Sequence, residues 1–363
     1  MRLFFDARFT RMDFHDGISR FGATLATELA QHADVTLLIH DERQLQLLPD
    51  LPYLVVSAPT SPKELFIWLQ LNRHQPDVVF SPMQTMGSWF RSAPLVLTLH
   101  DLIYYEHRTP PRDLPAFVRV LWRLYHLAYW PQRLLLNRAD LIFTVSETTK
   151  TLMSRHRLTK RPVVVTPNAP QEHRYAVTGS PKKTLLYMGS FMEYKNVATL
   201  VRAMELLPDY QLHLLSKITP AKRAALEDLS SAPQRIVFHN GVSDAEYEQL
   251  LSETTALVHL SQSEGYGMPV IEAMALGVPV LVNDIPIFRE VAGEAGIFVD
   301  GTKAREVAAA VTMLAEPGLW VEHSKAAFAH AQRYTWARTG TIAATALEKL
   351  VGRAGLEPAT KGL

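Results

Sequence analysis

Ser261-Gln-Ser-Glu264-Gly265-Tyr-Gly267-Met-Pro269-Val-Ile-Glu272-Ala-Met-Ala-Leu-Gly277-Val-Pro-Val-Leu-Val282 is the stretch around which the chain is organised. The apolar run Ala256–Leu260 leads into it and predicts a buried strand. Gly265 and Gly267 free the backbone for a tight turn or a close approach to a ligand. Pro269 suits a first helical position, where its missing N–H is harmless. Gly277 suits the residue that ends the helix in a left-handed conformation, and Val278–Val282 predicts the next strand. The unit therefore reads strand, glycine loop, short helix, strand, with Glu264 in the loop and Glu272 in the first helical turns. Spacing alone leaves two readings open. Two carboxylates near a helix start favour the dipole and face water, or they take sugar hydroxyls while backbone amides take phosphate.

Working outward, 363 residues are enough for about two domains with substantial cores. The charge is balanced, with 37 basic and 36 acidic residues, so no global excess points to nucleic acid. The absence of cysteine excludes disulfides and thiolate metal sites. Met1-Arg-Leu-Phe-Phe-Asp6 enters a first strand and lacks the apolar core of a signal peptide. No apolar run approaches the roughly 18 residues that span a bilayer. The expectation is a cytoplasmic protein, with a peripheral position on the inner face of the plasma membrane as the variant.

Apolar strand runs recur along the whole chain. In the first half they are Leu3–Phe5, Val35–Ile39, Leu54–Val56, Val78–Phe80, Leu95–Leu99, Leu141–Val145 and Val163–Val165. Thr166 to Lys183, rich in Pro, Gly and Ser, carries no apolar period and reads as a linker. Strands then resume at Leu185–Met188, Leu212–Leu215, Ile236–His239, Ala256–Leu260, Val278–Val282 and Ile297–Val299. Continuous Val, Leu and Ile runs alternating with helices predict an α/β fold of two doubly wound parallel sheets. Ligands are then expected at the strand carboxyl ends and in a cleft between the domains. A helix is predicted between the first two strands, with Phe21, Leu25 and Leu29 on one face. Phe117 to Arg138 mixes aromatic residues with Arg119, Arg123, Arg133 and Arg138, and Pro131 interrupts any long helix there. Its aromatics either fill the core above a solvated arginine face, or the region lies on an anionic membrane surface.

The run Glu264-Gly-Tyr-Gly-Met-Pro-Val-Ile-Glu272-Ala-Met-Ala-Leu-Gly-Val-Pro-Val strongly resembles the E-x7-E segment of retaining glycosyltransferase family 4, which has the GT-B fold. Leu185-Leu-Tyr-Met-Gly189 followed by Lys195-Asn196, and Asn240-Gly-Val-Ser-Asp244, resemble further family segments. So do Ile285-Pro-Ile-Phe-Arg-Glu290, Thr98-Leu-His100-Asp101 and Thr144-Val-Ser146-Glu147. The resemblance implies two Rossmann-like domains facing a central cleft. Residues 1–170 would form an acceptor-binding domain, 171–183 a linker and 184–335 the nucleotide-sugar domain. Residues 336–352 would be a helix packing back towards the first domain, and 353–363 a flexible tail.

The resemblance also implies roles. Glu264 would bind donor-sugar hydroxyls, with Gly265, Tyr266, Gly267 and Met268 lining the donor loop. Glu272 would take the ribose, a carboxylate being suited to two adjacent hydroxyls. Lys195, with Gly189 nearby, would meet the growing charge of the leaving diphosphate. His100 would lie near the donor sugar, and Gly17, in the loop after the first strand, would let backbone amides approach the diphosphate or acceptor. Many relatives carry an arginine a few residues before the lysine. Here Ser190-Phe-Met-Glu193-Tyr194 has none, and Arg20 is the candidate replacement.

The implied activity is retaining hexosyl transfer from a nucleoside-diphosphate sugar to a hydroxyl of a glycan or lipid-linked acceptor in cell-envelope polysaccharide synthesis. His100-Asp101-Leu-Ile-Tyr104 with Lys195-Asn196 is most similar to mannosyltransferase-like members, hence GDP-mannose, with UDP-glucose or a related UDP-sugar as alternative. No cofactor, no essential metal and no nucleic-acid partner is implied. A nicotinamide dehydrogenase is disfavoured, because Gly265-Tyr-Gly267-Met-Pro-Val270 lacks the third glycine of the fingerprint and comes late. A non-catalytic sugar-nucleotide-binding or scaffold protein of the same fold stays as the rival.

Overall fold

The computed structural model describes residues 1–110, 116–173, 175 and 181–356. The chain divides into two units, Met1–Asn168 together with the chain from Trp336 onward, and Ala169–Thr335.

The first unit is built on seven strands: β1 (Arg2–Asp6), β2 (Asp34–Ile39), β3 (Tyr53–Val55), β4 (Val78–Ser81), β5 (Leu95–Leu99), β6 (Leu141–Thr144) and β7 (Val163–Val165). They lie in the order β3-β2-β1-β4-β5-β6-β7, and every pairing is parallel. β4, β5 and β6 are buried at every position, as strands covered on both faces must be. Phe5, Phe80 and Phe143 pack through the centre, edge-on and tilted, at centroid distances of 5.1 and 5.3 Å. The helix Gly17–Leu29 buries Phe21, Leu25 and Leu29, and Asp16 caps it by accepting the Ser19 N–H at 2.9 Å.

The Trp336–Leu356 helix packs on the Gly17–Leu29 helix. A Cβ on Gly340 would come within 2.6 Å of the Glu28 Cβ, so glycine sets the closeness of that crossing. Thr339 Oγ1 donates to the Pro167 carbonyl at 2.7 Å, tying the helix to the end of the first sheet.

The second unit has six strands: β8 (Lys182–Tyr187), β9 (Gln211–Leu214), β10 (Ile236–Phe238), β11 (Thr254–His259), β12 (Val280–Asn283) and β13 (Ile297–Val299). Their order is β10-β9-β8-β11-β12-β13, again all parallel. Both sheets are thus α/β and doubly wound. Each reverses direction once, between β1 and β4 and between β8 and β11. At those points successive crossovers leave in opposite directions and open a crevice at the strand carboxyl ends.

Several boundaries differ from the sequence expectation. The division falls after Asn168 rather than 170, and β8 begins at Lys182, inside the expected 171–183 linker. Residues 174 and 176–180 of that linker lie outside the described residues. The last helix runs to Leu356, so 353–356 of the expected flexible tail are helical, and 357–363 lie outside the described residues. Among the described residues no helix is long and apolar enough to cross a membrane.

Candidate active site

The crevice of the second sheet gathers most of the residues singled out in sequence. β11 ends at His259, and the following loop returns through Ser261 and Glu264 to the Met268–Ala275 helix. Gly267 precedes that helix at φ +94°, and a Cβ there would meet the Phe288 ring at 2.9 Å. The helix starts at Met268, so Pro269 stands second rather than first. Pro269 has no N–H, and the Val270 N–H donates to the Gly267 carbonyl at 2.9 Å. Two of the first three helical positions therefore offer no amide to a phosphate, fewer than the expectation from a bare helix start. Gly277 ends the helix at φ +78°. Its N–H bonds the Met274 carbonyl and the Val278 N–H bonds the Ala273 carbonyl, both at 2.9 Å, which is the Schellman pattern. Val278 is spent on that cap, so the strand predicted from Val278 begins at Val280.

Glu264 is the centre of the cluster. Lys195 Nζ pairs with its Oε1, Ser261 Oγ donates to the same oxygen at 3.0 Å, and His259 Nε2 stands 3.5 Å from it. Among the described residues no hydrogen bond forms to Oε2, which leaves that oxygen to accept from a ligand hydroxyl. Burial pushes the Glu264 carboxyl up, but the basic groups of His259 and Lys195 and the bonds from Lys195 and Ser261 outweigh it and hold the carboxyl below its usual range. His259 is almost wholly buried, and that burial pushes the imidazole down to about 4 despite the opposing pull of Glu264. The ring is neutral at physiological pH. Its Nδ1 lies 3.0 Å from Ser261 Oγ, so histidine, serine and glutamate form one chain of contacts.

Lys195 reaches Glu264 because two loops are tied together. The Gln262 N–H donates to the Tyr194 carbonyl at 2.8 Å. Asn196, at φ +54°, donates from Nδ2 to the Gly301 carbonyl and accepts Thr199 Oγ1 at 2.7 Å. Asn283 bridges the other side, donating to the Ser261 carbonyl at 2.9 Å and accepting the Gly301 N–H at 2.9 Å. Gly189, at the end of β8, has φ +155°, and a Cβ would press on the Tyr187 hydroxyl at 2.8 Å. Its N–H donates to Ser216 Oγ at 3.0 Å. Glu272 lies half-buried on the Met268–Ala275 helix, and Gly265 and Met268 are likewise half-buried while Tyr266 is buried.

The other sequence candidates belong to the first unit. His100 follows β5, half-buried, with its ring edge-on to Phe21 at 5.0 Å. Its Nε2 lies 2.8 Å from the Pro82 carbonyl, and since a carbonyl only accepts, Nε2 carries the proton. Burial lowers the His100 pKa, so Nδ1 is an unprotonated acceptor at neutral pH. Gly17 differs from expectation. It is the first residue of the Gly17–Leu29 helix rather than a loop residue, and a Cβ there would meet nothing within 4 Å. Arg20 lies half-buried on the same helix.

A cavity of about 490 Å³ opens at the carboxyl ends of β1, β2 and β4, lined among others by Arg8, Thr10, Arg11, Phe14, His40 and Met83. Arg8 beneath it is fully engaged. Its guanidinium bonds Asp6 at 2.7 and 3.0 Å, the Ser57 carbonyl at 2.9 Å and both oxygens of Glu64. It therefore holds the loop after β1 and has no N–H left for a ligand.

His259, Ser261, Asn196 and Asn283 were not assigned roles from sequence. Ser261 stands within the deciding stretch, and its three-residue spacing from Glu264 was the available signal. His259 reads as one residue of an apolar strand, and nothing local distinguishes it.

Comparison with known proteins agrees with this fold. Residues 170–327 match the family described as glycosyl transferases group 1, and residues 15–170 match glycosyltransferase family 4. The chain is similar to the O-antigen chain mannosyltransferase RfbU of Salmonella typhimurium, at 24% identity over 78% of this chain and 83% of that protein. It is similar to O-antigen chain mannosyltransferase B of Escherichia coli, at 27% identity over 66% of each. Among solved structures, the Anabaena protein HepE in complex with UDP and glucose superposes with a TM-score of 0.70 over 96% of this chain and 99% of that one, at 16% identity. With its two parallel doubly wound sheets and both family matches, the chain belongs to the family 4-like glycosyltransferases of the GT-B fold.

Proposed function

We propose that this enzyme transfers a hexose from a nucleoside-diphosphate sugar, with retention, to a hydroxyl of a glycan or lipid-linked acceptor in cell-envelope polysaccharide synthesis. The observation that carries the reading is the ionised, nearly buried Glu264 with Oε1 held by Lys195 and Ser261 and Oε2 open to a hydroxyl. Glu264 then takes the donor sugar, and Glu272 the ribose. Gly189 and the Gly265–Met268 loop give the donor close backbone contact. Lys195 leaves its ion pair to neutralise the diphosphate as charge develops on it, which is the stabilisation the reaction most needs. The leaving diphosphate itself helps to take the acceptor proton, so no side-chain base is required. Charge is met by Lys195 and amides, without an essential metal. In the first unit, His100 Nδ1 accepts from a substrate hydroxyl, Arg20 and the helix start at Gly17 face the anionic part of the substrates, and the 490 Å³ cavity receives the acceptor. The acceptor's lipid places the enzyme at a membrane surface, which it meets through 117–138 from the cytoplasmic side.

The similarity to two mannosyltransferases favours GDP-mannose as donor. A UDP-sugar is the second reading, favoured by the fold likeness to HepE, which is solved with UDP and glucose. Incubation with a panel of nucleotide sugars, with and without acceptor extracts, is expected to release GDP from GDP-mannose in preference to UDP from UDP-glucose. Tight binding of a donor with no turnover of any would replace the transferase reading with a non-catalytic binder.

A further inference from the structure

A groove of about 540 Å³ lies at the outer edge of the first sheet, between β3 and the helical segment formed by Pro62–Phe66 and Ile67–Leu71. Val55, Phe66, Ile67 and Leu69 give it an apolar wall. Lys63 near the start of that segment and Arg73 just past its end also line it, and both are exposed. Among the described residues neither cation makes an ion pair or a side-chain hydrogen bond. Glu64 is the only acidic residue from Tyr53 to Arg73, and it is committed to Arg8 and to the Gly87 N–H.

Three aromatic rings adjoin the groove. Phe66 stands edge-on to Trp89 at 5.6 Å and stacks with Phe90 at 6.3 Å, and the three side chains are 44–62% exposed. The loop that carries Trp89 and Phe90 is fixed from both sides. The Gly87 N–H donates to Glu64 at 2.8 Å, Trp68 Nε1 donates to the Gly87 carbonyl at 2.7 Å, and Asn72 Nδ2 donates to the Phe90 carbonyl at 2.7 Å. Phe90 itself holds φ +62°, a left-handed backbone that a bulky L-residue adopts only where its surroundings impose it. The fold thus keeps these rings at the surface, in fixed orientation, at a conformational cost.

Chemistry selects the occupant. A pyranose ring offers a face of C–H groups to the negative face of an aromatic ring, and its hydroxyls suit the polar groups that flank an apolar wall. Two unpaired cations add a preference for sugars that carry carboxylate or phosphate. A peptide strand is disfavoured. Pro52 and Val56 bond β2, so Val55 turns its carbonyl outward, and Gln70 Nε2 already occupies it at 2.9 Å. A second copy of this face would set Lys63 and Arg73 against their like, with no free carboxylate to relieve them.

We propose that this groove and its aromatic rings bind an anionic glycan, with sugar rings on Phe66, Trp89 and Phe90 and acidic groups at Lys63 and Arg73. Its position gives the binding a purpose. Ser57 lines the groove and accepts Arg8 Nη1 on its carbonyl at 2.9 Å, and Arg8 lines the 490 Å³ cavity, so one contact separates the two spaces. A chain whose growing end enters the cavity is held here behind that end. That continuity rests on the acceptor reading of the cavity, whereas the glycan binding itself does not.

Isothermal titration of the full chain with tetragalacturonate, a short anionic glycan, tests this against neutral maltotetraose and against hexaglutamate, which has charge without sugar rings. Tetragalacturonate is expected to bind at least about tenfold more tightly than either, and salt should weaken it. Trp89→Ala is expected to lower the affinity about tenfold, and Lys63→Glu with Arg73→Glu to lower it as far and remove the salt dependence. Phe90→Gly deletes a ring while relieving the left-handed backbone, so it should weaken binding with no loss in Tm. These side chains are exposed, so circular dichroism should be unchanged. Wild type that fails to bind tetragalacturonate overturns the proposal, as does unchanged affinity in Trp89→Ala. Hexaglutamate that binds as tightly overturns it too, and assigns the surface to an acidic protein partner. So does a wild-type dimer that Trp89→Ala converts to a monomer, which gives the face to a second copy. Donor turnover is measured separately, so glycan binding without turnover of any donor removes the transferase reading and leaves this groove standing.

Discussion

Glu264 is an ionised, largely buried carboxylate, and what keeps it ionised at neutral pH is the company of Lys195 and Ser261. Removing one member of such a pair leaves the other buried and uncompensated. The two partners should nevertheless fail differently. Glu264→Ala is expected to lower kcat about 100-fold with a smaller change in donor affinity, because the contact with the reacting sugar strengthens in the transition state. Lys195→Ala is expected to damage both kcat and donor KM, since the diphosphate is charged before and after reaction. Steady-state kinetics with the preferred donor checks this, and equal small effects in both variants would show that the site lies elsewhere. Both residues were legible in the sequence through the family resemblance. Their contact was not, because it joins positions 69 residues apart.

At the scale of the element, the Met268–Ala275 helix shows how local chemistry sets boundaries that apolar patterning misses. The pattern located all thirteen strands because each contains a short, mostly apolar run. It misplaced the start of β12, where the Schellman cap claims Val278, and the start of β8, where the polar Lys182 pairs with Thr254. The cap itself is testable. Gly277 holds φ +78°, and a Cβ there would meet the Tyr175 ring at 2.6 Å. Gly277→Ala is expected to cost at least about 1–2 kcal/mol, the left-handed penalty for an L-residue, with the Tyr175 collision added to it. Urea denaturation followed by circular dichroism measures it, and an unchanged midpoint would show that the cap relaxes freely.

At the scale of the whole molecule, each unit carries a desolvated histidine at the end of a strand, His100 half-buried after β5 and His259 buried at the end of β11. Burial holds both below the ordinary 6.5, His259 at about 4. The unfolded chain therefore binds more protons than the native one between those values. The stability from this source is fully present above about pH 6.5 and lost as pH falls towards 4, up to about 3 kcal/mol for His259 alone. Thermal unfolding is expected to show a falling Tm from pH 7 to pH 5, with a shallower fall in His259→Phe. The same slope in both proteins would show that His259 is not the proton-binding group.

The sequence by itself determined the two α/β sheets, the glycine loop between β11 and its helix, and the family, because apolar runs and motif spacing are properties of neighbouring residues. The order of the strands, the convergence of Lys195, Ser261 and His259 on one oxygen of Glu264, and the exposure of Phe117, Leu121 and Leu124 were decided only by tertiary structure. An apolar-looking position such as His259, or a helix rich in both arginine and leucine, has no fixed inside until the fold assigns one. Periodicity records which residues share a face. It does not record whether that face meets the core, a ligand or a membrane.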